Sequence, residues 1–181
     1  MKMHVLFVHG AGEEAYEEDR RMAASLRDEL GDAYDVRYPR MPGGDNPEYE
    51  AWKARISKEL AGMDGGAILV GHSLGASTLL KYLSEEEVET PATGAFLIAC
   101  PYWDVEDWEV REYALREDFA LSLPEGMPMY FYHSRDDEWV PFAHLALYEE
   151  KLPRATVREF DGRGHQFGDN LSEVARDIER L

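Results

Sequence analysis

Apolar residues along this chain come in short bursts, and the bursts alternate between two spacings. Runs at 4–8, 34–38, 67–70, 95–99, 129–133 and 156–160 are rich in Val, Ile, Leu, Phe and Tyr. Several of them lack a clean in-out alternation, the pattern of strands covered on both faces. Between the runs the spacing changes to that of helices. Met22, Leu26 and Leu30 recur at helical intervals before Gly31, a natural carboxyl-terminal stop. Asn46-Pro47 predicts a cap and a first-turn proline for a helix that carries Tyr49, Trp52, Ile56 and Leu60 on one core-facing stripe. Residues 74–83 predict another helix. Asn170 and Glu173 form a capping-box pattern ahead of Leu171, Val174, Ile178 and Leu181. This strand-helix rhythm is that of an α/β domain with a mainly parallel sheet.

One stretch breaks the rhythm. Residues 101–128 are long for a helix-strand connection and hold Tyr102, Trp103, Trp108, Tyr113 and Phe119. The stretch follows the fourth strand, and loops at the carboxyl ends of parallel strands surround ligand sites in open α/β sheets. It is therefore expected to form a lid or pocket wall, with Tyr102, Trp103 and Trp108 facing substrate.

Composition narrows the function classes. With 181 residues, the chain fits one domain spanning 1–181 that buries a core without staples. Its net charge of -18 sets it against nucleic acids and anionic lipid surfaces, and disfavours anionic substrates. No apolar run approaches the ~20 residues that span a bilayer. The amino terminus runs directly into a strand, so the expected location is the cytoplasm. Cys100 is the only cysteine, which excludes an internal disulfide and reads as a small buried apolar residue.

The chemistry concentrates at Gly71-His72-Ser73-Leu74-Gly75, set between the apolar run 67–70 and a helix. This is the layout of a nucleophile elbow, in which a sharp turn lifts the serine hydroxyl clear of the backbone. A serine hydroxyl needs a neutral imidazole to take its proton during attack. Among the six histidines, His165 stands out, because it lies in the turn Asp161-Gly162-Arg163-Gly164-His165 after the last strand, on the side where the elbow opens. The imidazole in turn needs an orienting carboxylate, and the loop after the fifth strand offers both Asp136 and Asp137. For an oxyanion, the amide of Leu74 follows the nucleophile, and that of Ala11 lies in the small-residue turn His9-Gly10-Ala11-Gly12. Gly10-Ala11-Gly12 also fits a relaxed dinucleotide fingerprint. The acids Glu13, Glu14, Glu17, Glu18 and Asp19 crowd the helix start, where a pyrophosphate would need positive potential.

Taken together, the His9-Gly10 turn, the serine elbow, the late acid and the last-strand histidine resemble the α/β-hydrolase superfamily over nearly the whole chain. The compact size is similar to that of serine hydrolases related to retinoblastoma-binding protein 9 and their bacterial relatives. The resemblance implies Ser73 as nucleophile, His165 as base, and Ala11 with Leu74 as oxyanion donors. It also implies Asp137 as the acid, since Val140-Pro141 follow it at the superfamily's usual spacing, with Asp104 as an outlying alternative. The expected architecture is a three-layer α/β/α sandwich without a large cap, its six parallel strands in the order 2-1-3-4-5-6. The expected activity is hydrolysis of a small neutral carboxylic ester through an acyl-enzyme, with no metal or organic cofactor. A serine peptidase or amidase, a thioesterase, and a non-catalytic binding protein are the alternatives.

Overall fold

Strands β1 (Met3–Val8), β2 (Tyr34–Arg37), β3 (Ala67–His72), β4 (Ala92–Ile98), β5 (Met129–Ser134) and β6 (Thr156–Phe160) form one parallel sheet in the order β2-β1-β3-β4-β5-β6, the order expected from the sequence. The computed structural model describes residues 1–181. The central strands serve two cores at once. Val5 and Phe7 of β1, with Ile68 and Val70 of β3, enter a core shared with α1 (Ala15–Leu30) and α6 (Ser172–Ile178). Their neighbours Leu6, Val8 and Leu69 enter the opposite core, shared with α2 (Tyr49–Ala61), α3 (Leu74–Glu85), α4 (Phe119–Ser122) and α5 (Ala143–Lys151). Alternate side chains of a strand point to opposite faces, so a continuous apolar run is what a sheet covered on both sides requires. No helix is long and apolar enough to cross a membrane.

Strand ends depart from the apolar runs where hydrogen-bonding partners extend them. β3 continues through Gly71 and His72 because Leu97 and Ile98 of β4 lie in register beside them. β4 starts at Ala92, earlier than its apolar run, because Ala92 pairs with Ala67.

Helix starts differ more. Asn46 does not cap α2. Its own amide closes a turn onto the Gly43 carbonyl, and α2 begins at Tyr49, whose amide donates to the Glu112 carboxylate at 2.6 Å. A carboxylate at a helix amino terminus satisfies an orphan amide and complements the dipole, and here it arrives from the long 101–128 stretch. The Tyr49, Trp52, Ile56 and Leu60 stripe is buried as expected. The capping box before α6 does not close: Asn170 accepts the Ser172 amide at 2.9 Å, while Glu173 turns to Arg163 at 2.6 Å. Leu181, expected on the buried stripe, is half exposed because α6 ends at Ile178.

Within 101–128 only α4 is regular, and side-chain ties hold the remainder. The Tyr102 amide donates to His144 Nδ1 at 2.9 Å, Trp103 Nε1 donates to Ser77 Oγ at 3.0 Å, and Lys81 Nζ donates to the Ala114 carbonyl at 2.8 Å. Burial pushes the His144 imidazole down to about 4, so it is neutral and free to accept the Tyr102 amide. These ties fasten the stretch to α3 and α5.

Candidate active site

Ser73 sits between β3 and α3 with φ 54° and ψ -122°, a left-sided conformation that an L-residue adopts at a cost of about 1–3 kcal/mol. Its neighbours make the turn possible. A Cβ on Gly71 would stand 2.6 Å from Cα of Ala76, and one on Gly75 would overlap the Val8 carbonyl oxygen. Both positions therefore exclude any side chain, and α3 presses against β1 and β3. The Ser73 amide donates to the Ile98 carbonyl at 2.9 Å, and its carbonyl accepts from Ala76 and Ser77, so β4 and α3 hold the strained residue in place. Leu74 is the first residue of α3, and its amide has no carbonyl one turn back.

Of the two adjacent acids, Asp137 meets His165. Nδ1 of His165 lies 3.0 and 2.9 Å from the two Asp137 oxygens, and a carboxylate only accepts, so Nδ1 carries the proton and Nε2 holds the lone pair. The Asp137 side chain is wholly buried. It also accepts the Trp139 and Val140 amides at 2.8 Å each, and His133 Nε2 approaches it at 3.1 Å. Burial opposes its charge, yet hydrogen bonds from His133 and His165 outweigh that and hold the carboxyl well below the usual range. Asp136 points elsewhere. It accepts the Gly164 amide at 3.1 Å and the Ser134 hydroxyl, and so fixes the turn that presents His165. Glu138 accepts the His165 amide at 3.1 Å and steadies the same turn. Asp104 is exposed and makes no bond to His165.

Burial lowers the His165 proton affinity, Asp137 opposes this, and the neighbouring His72 reinforces it, leaving the net shift downward. Nε2 of His165 has no protein partner, and no hydrogen bond joins it to the Ser73 hydroxyl. Both residues line one cleft of about 550 Å³. In unliganded sites such catalytic hydrogen bonds are often long and tighten when substrate binds.

In the turn after β1, the Gly10 amide is committed to Asp19 at 2.8 Å and the Gly12 amide to the Gly44 carbonyl at 2.7 Å. The Ala11 amide between them has no partner. Ala11, Leu74 and Ser73 thus stand on adjoining elements at the carboxyl ends of β1 and β3.

The cleft walls differ from expectation. Trp108 lines the cleft, but Tyr102 and Trp103 do not. The Tyr102 ring packs on Tyr148 of α5, and the Trp103 ring packs on Trp108 and Tyr113 while its Nε1 is tied to Ser77 of α3, so these apolar faces are turned inward. The sequence reading missed Trp139 and Val140, which complete the apolar wall beside Trp108. Glu13, Glu14 and Glu18 also line the cleft. The Asp-Val-Pro spacing marks the Trp139 loop, but nothing local tells that it turns into the cleft. No cluster of His, Cys, Asp or Glu is placed to hold a metal ion.

A family model described as serine hydrolase matches residues 6–169. Solved structures similar to the chain include the ydeN gene product of B. subtilis, 18% identical with a TM-score of 0.73, covering 99% of this chain and 98% of that one. A meta-cleavage product hydrolase (CumD) from Pseudomonas fluorescens IP01 is 16% identical with a TM-score of 0.73, covering 99% and 88%. Est1E from Butyrivibrio proteoclasticus is 16% identical with a TM-score of 0.68, covering 99% and 86%. At these identities the likeness is one of fold. No curated protein matches the chain by sequence.

Proposed function

Because this chain belongs to the serine hydrolase family, we propose that it hydrolyses small neutral carboxylic esters, or related acyl compounds, with Ser73, His165 and Asp137 as its catalytic triad. The observation that carries this reading is the pairing of His165 Nδ1 with a wholly buried carboxylate while Nε2 is left free in the cleft that Ser73 lines. Within the family we place the chain among the compact hydrolases that resemble retinoblastoma-binding protein 9, on its size and its lack of a separate cap.

In the proposed reaction, Ser73 Oγ attacks the substrate carbonyl carbon and His165 Nε2 accepts the hydroxyl proton. The amides of Ala11 and Leu74 hold the resulting oxyanion, each worth ~3–4 kcal/mol of barrier in comparable sites. Collapse breaks the bond to the alcohol oxygen, which takes the proton from His165 as it leaves. Water then attacks the acyl-serine, His165 accepts one of its protons, and the second collapse returns that proton to Ser73 Oγ and releases the acid. Asp137 keeps its charge throughout and stabilises the imidazolium.

The residues lining the cleft support this substrate class. Trp108, Trp139 and Val140 suit an apolar acyl or alcohol group, and Glu13, Glu14 and Glu18 repel an anionic one. Labelling with a fluorophosphonate probe tests the reading: the parent is expected to label, and Ser73→Ala is not. Full esterase activity in Ser73→Ala would assign the reaction to another nucleophile. A graded series of neutral esters beside dianionic analogues tests the substrate class, and preference for the dianions would contradict it.

A further inference from the structure

Beneath the elbow lies a second aspartate-histidine pair that the proposed reaction does not use. His72 Nδ1 is 2.7 Å from Asp19 Oδ2, and His72 Nε2 is 2.8 Å from the backbone carbonyl of His165. Both side chains are about 2% exposed. The partners decide the protonation state. A carbonyl oxygen only accepts, and Asp19 Oδ2 already accepts the Gly10 amide while Oδ1 accepts Gln166 Nε2 at 3.1 Å. A neutral imidazole has one lone pair. Whichever nitrogen carried it would face an acceptor at hydrogen-bond distance in a site closed to bulk solvent. With Asp19 ionised, a doubly protonated ring is the state that satisfies both contacts.

We propose that Asp19 and His72 form a buried carboxylate-imidazolium pair that positions the candidate site and holds a positive charge against His165. The ties it makes run to the turn after β1, the elbow and the His165 loop. Asp19 clamps Gly10, next to the Ala11 amide. His72 belongs to the elbow itself, adjacent to Ser73. Its Nε2-H fixes the His165 backbone, and Gln166 is tied back to Asp19. The rings of His72 and His165 lie 4.7 Å apart between centroids, close enough for the charge on one to oppose protonation of the other. The charges facing His165 are Asp137 and Glu138 from the loop after β5 with His133 behind them, His72 from the elbow, and Asp19 with Glu18 from α1. His72 faces Asp19 and Asp137, with His9 just past the end of β1. Burial opposes the charge on His72, while Asp19, the His165 carbonyl and Asp137 favour it, and the net shift is upward, the direction the hydrogen bonds require. Asp19 and His72 act through other groups and are positioning residues.

This inference rests on the proposed triad for its effect on turnover, but its first test does not. Long-range proton-nitrogen NMR spectra of the intact protein at about pH 8, where an ordinary imidazole is neutral, are expected to show both ring nitrogens of His72 protonated. A neutral tautomer for His72 overturns the proposal, even if no variant folds. The second test is His72→Gln. It removes the cation and leaves Asp19, so His165 binds its proton more readily, and the midpoint of the kcat/KM profile is expected to move up by about one pH unit. Asp19→Asn cannot accept the Gly10 amide and also donate to His72, so it is expected to lower kcat about tenfold or more with KM nearly unchanged. An unmoved midpoint in His72→Gln, or unaltered kcat in a folded Asp19→Asn, overturns the positioning role. If Ser73→Ala keeps full activity, the triad fails while the NMR result stands by itself.

Discussion

Asp137-His165 and Asp19-His72 join the same side-chain types on either side of one serine, and they differ in what the second ring nitrogen meets. Nε2 of His165 faces the cleft without a partner, whereas Nε2 of His72 faces a backbone carbonyl. The first ring is held neutral and able to take a proton, with burial and the neighbouring His72 pushing its affinity down against the pull of Asp137. The second keeps its proton because Asp19, the His165 carbonyl and Asp137 together outweigh the cost of burial. An aspartate partner therefore does not by itself decide whether a histidine acts as a base. The environment of the far nitrogen does, together with solvent access.

The largest expected effect lies at the atoms proposed to react. Ser73→Ala and His165→Ala are each expected to lower kcat/KM by about 10⁴-fold or more without unfolding the protein, read by ester turnover and circular dichroism. If His165→Ala kept near-parent turnover, the contrast between the two pairs would lose its meaning. Asp137→Asn is expected to cost about 10³- to 10⁴-fold, because an amide no longer fixes the Nδ1-H tautomer.

The pH profile sharpens the contrast at lower cost. As the proposed base, His165 must be neutral to act, so activity is expected to rise with pH as it loses its proton. Its shift is downward, which places the midpoint below the ordinary imidazole value of 6.5. Activity flat from about pH 5 to 9 would deny His165 the role of base. Smaller still is the expected change in Trp108→Ala, a rise in KM of about tenfold or less for apolar esters, as one wall of the cleft is removed. Asp104→Asn should leave kcat/KM within about twofold, since the exposed carboxylate touches neither pair.

Much of this architecture was legible from residue spacing. The runs that became β1, β3, β4 and β5 were readable because both sheet faces are covered there, and the α2 stripe because its apolar residues recur every three or four positions. The elbow was readable because Gly71 and Gly75 are needed within two residues of Ser73. Other features left no local trace. Glu112 reaches across 63 positions to the start of α2, displacing the Asn46-Pro47 signal. Tyr102 and Trp103 carry the composition of a pocket wall but pack on α3 and α5, and only the path of the chain separates them from Trp108.

The sequence by itself determined the strand order's ingredients, the strained serine turn and the set of residues able to do acyl chemistry, because periodicity and turn geometry act over a few neighbouring residues. The tertiary structure alone decided which acid meets His165, which aromatics face the cleft, and that His72 and Asp19, 53 positions apart, share a buried proton. Those outcomes depend on distances between loops that strand pairing sets. Electrostatic and hydrogen-bonding partners are chosen by proximity in space, which no local pattern encodes.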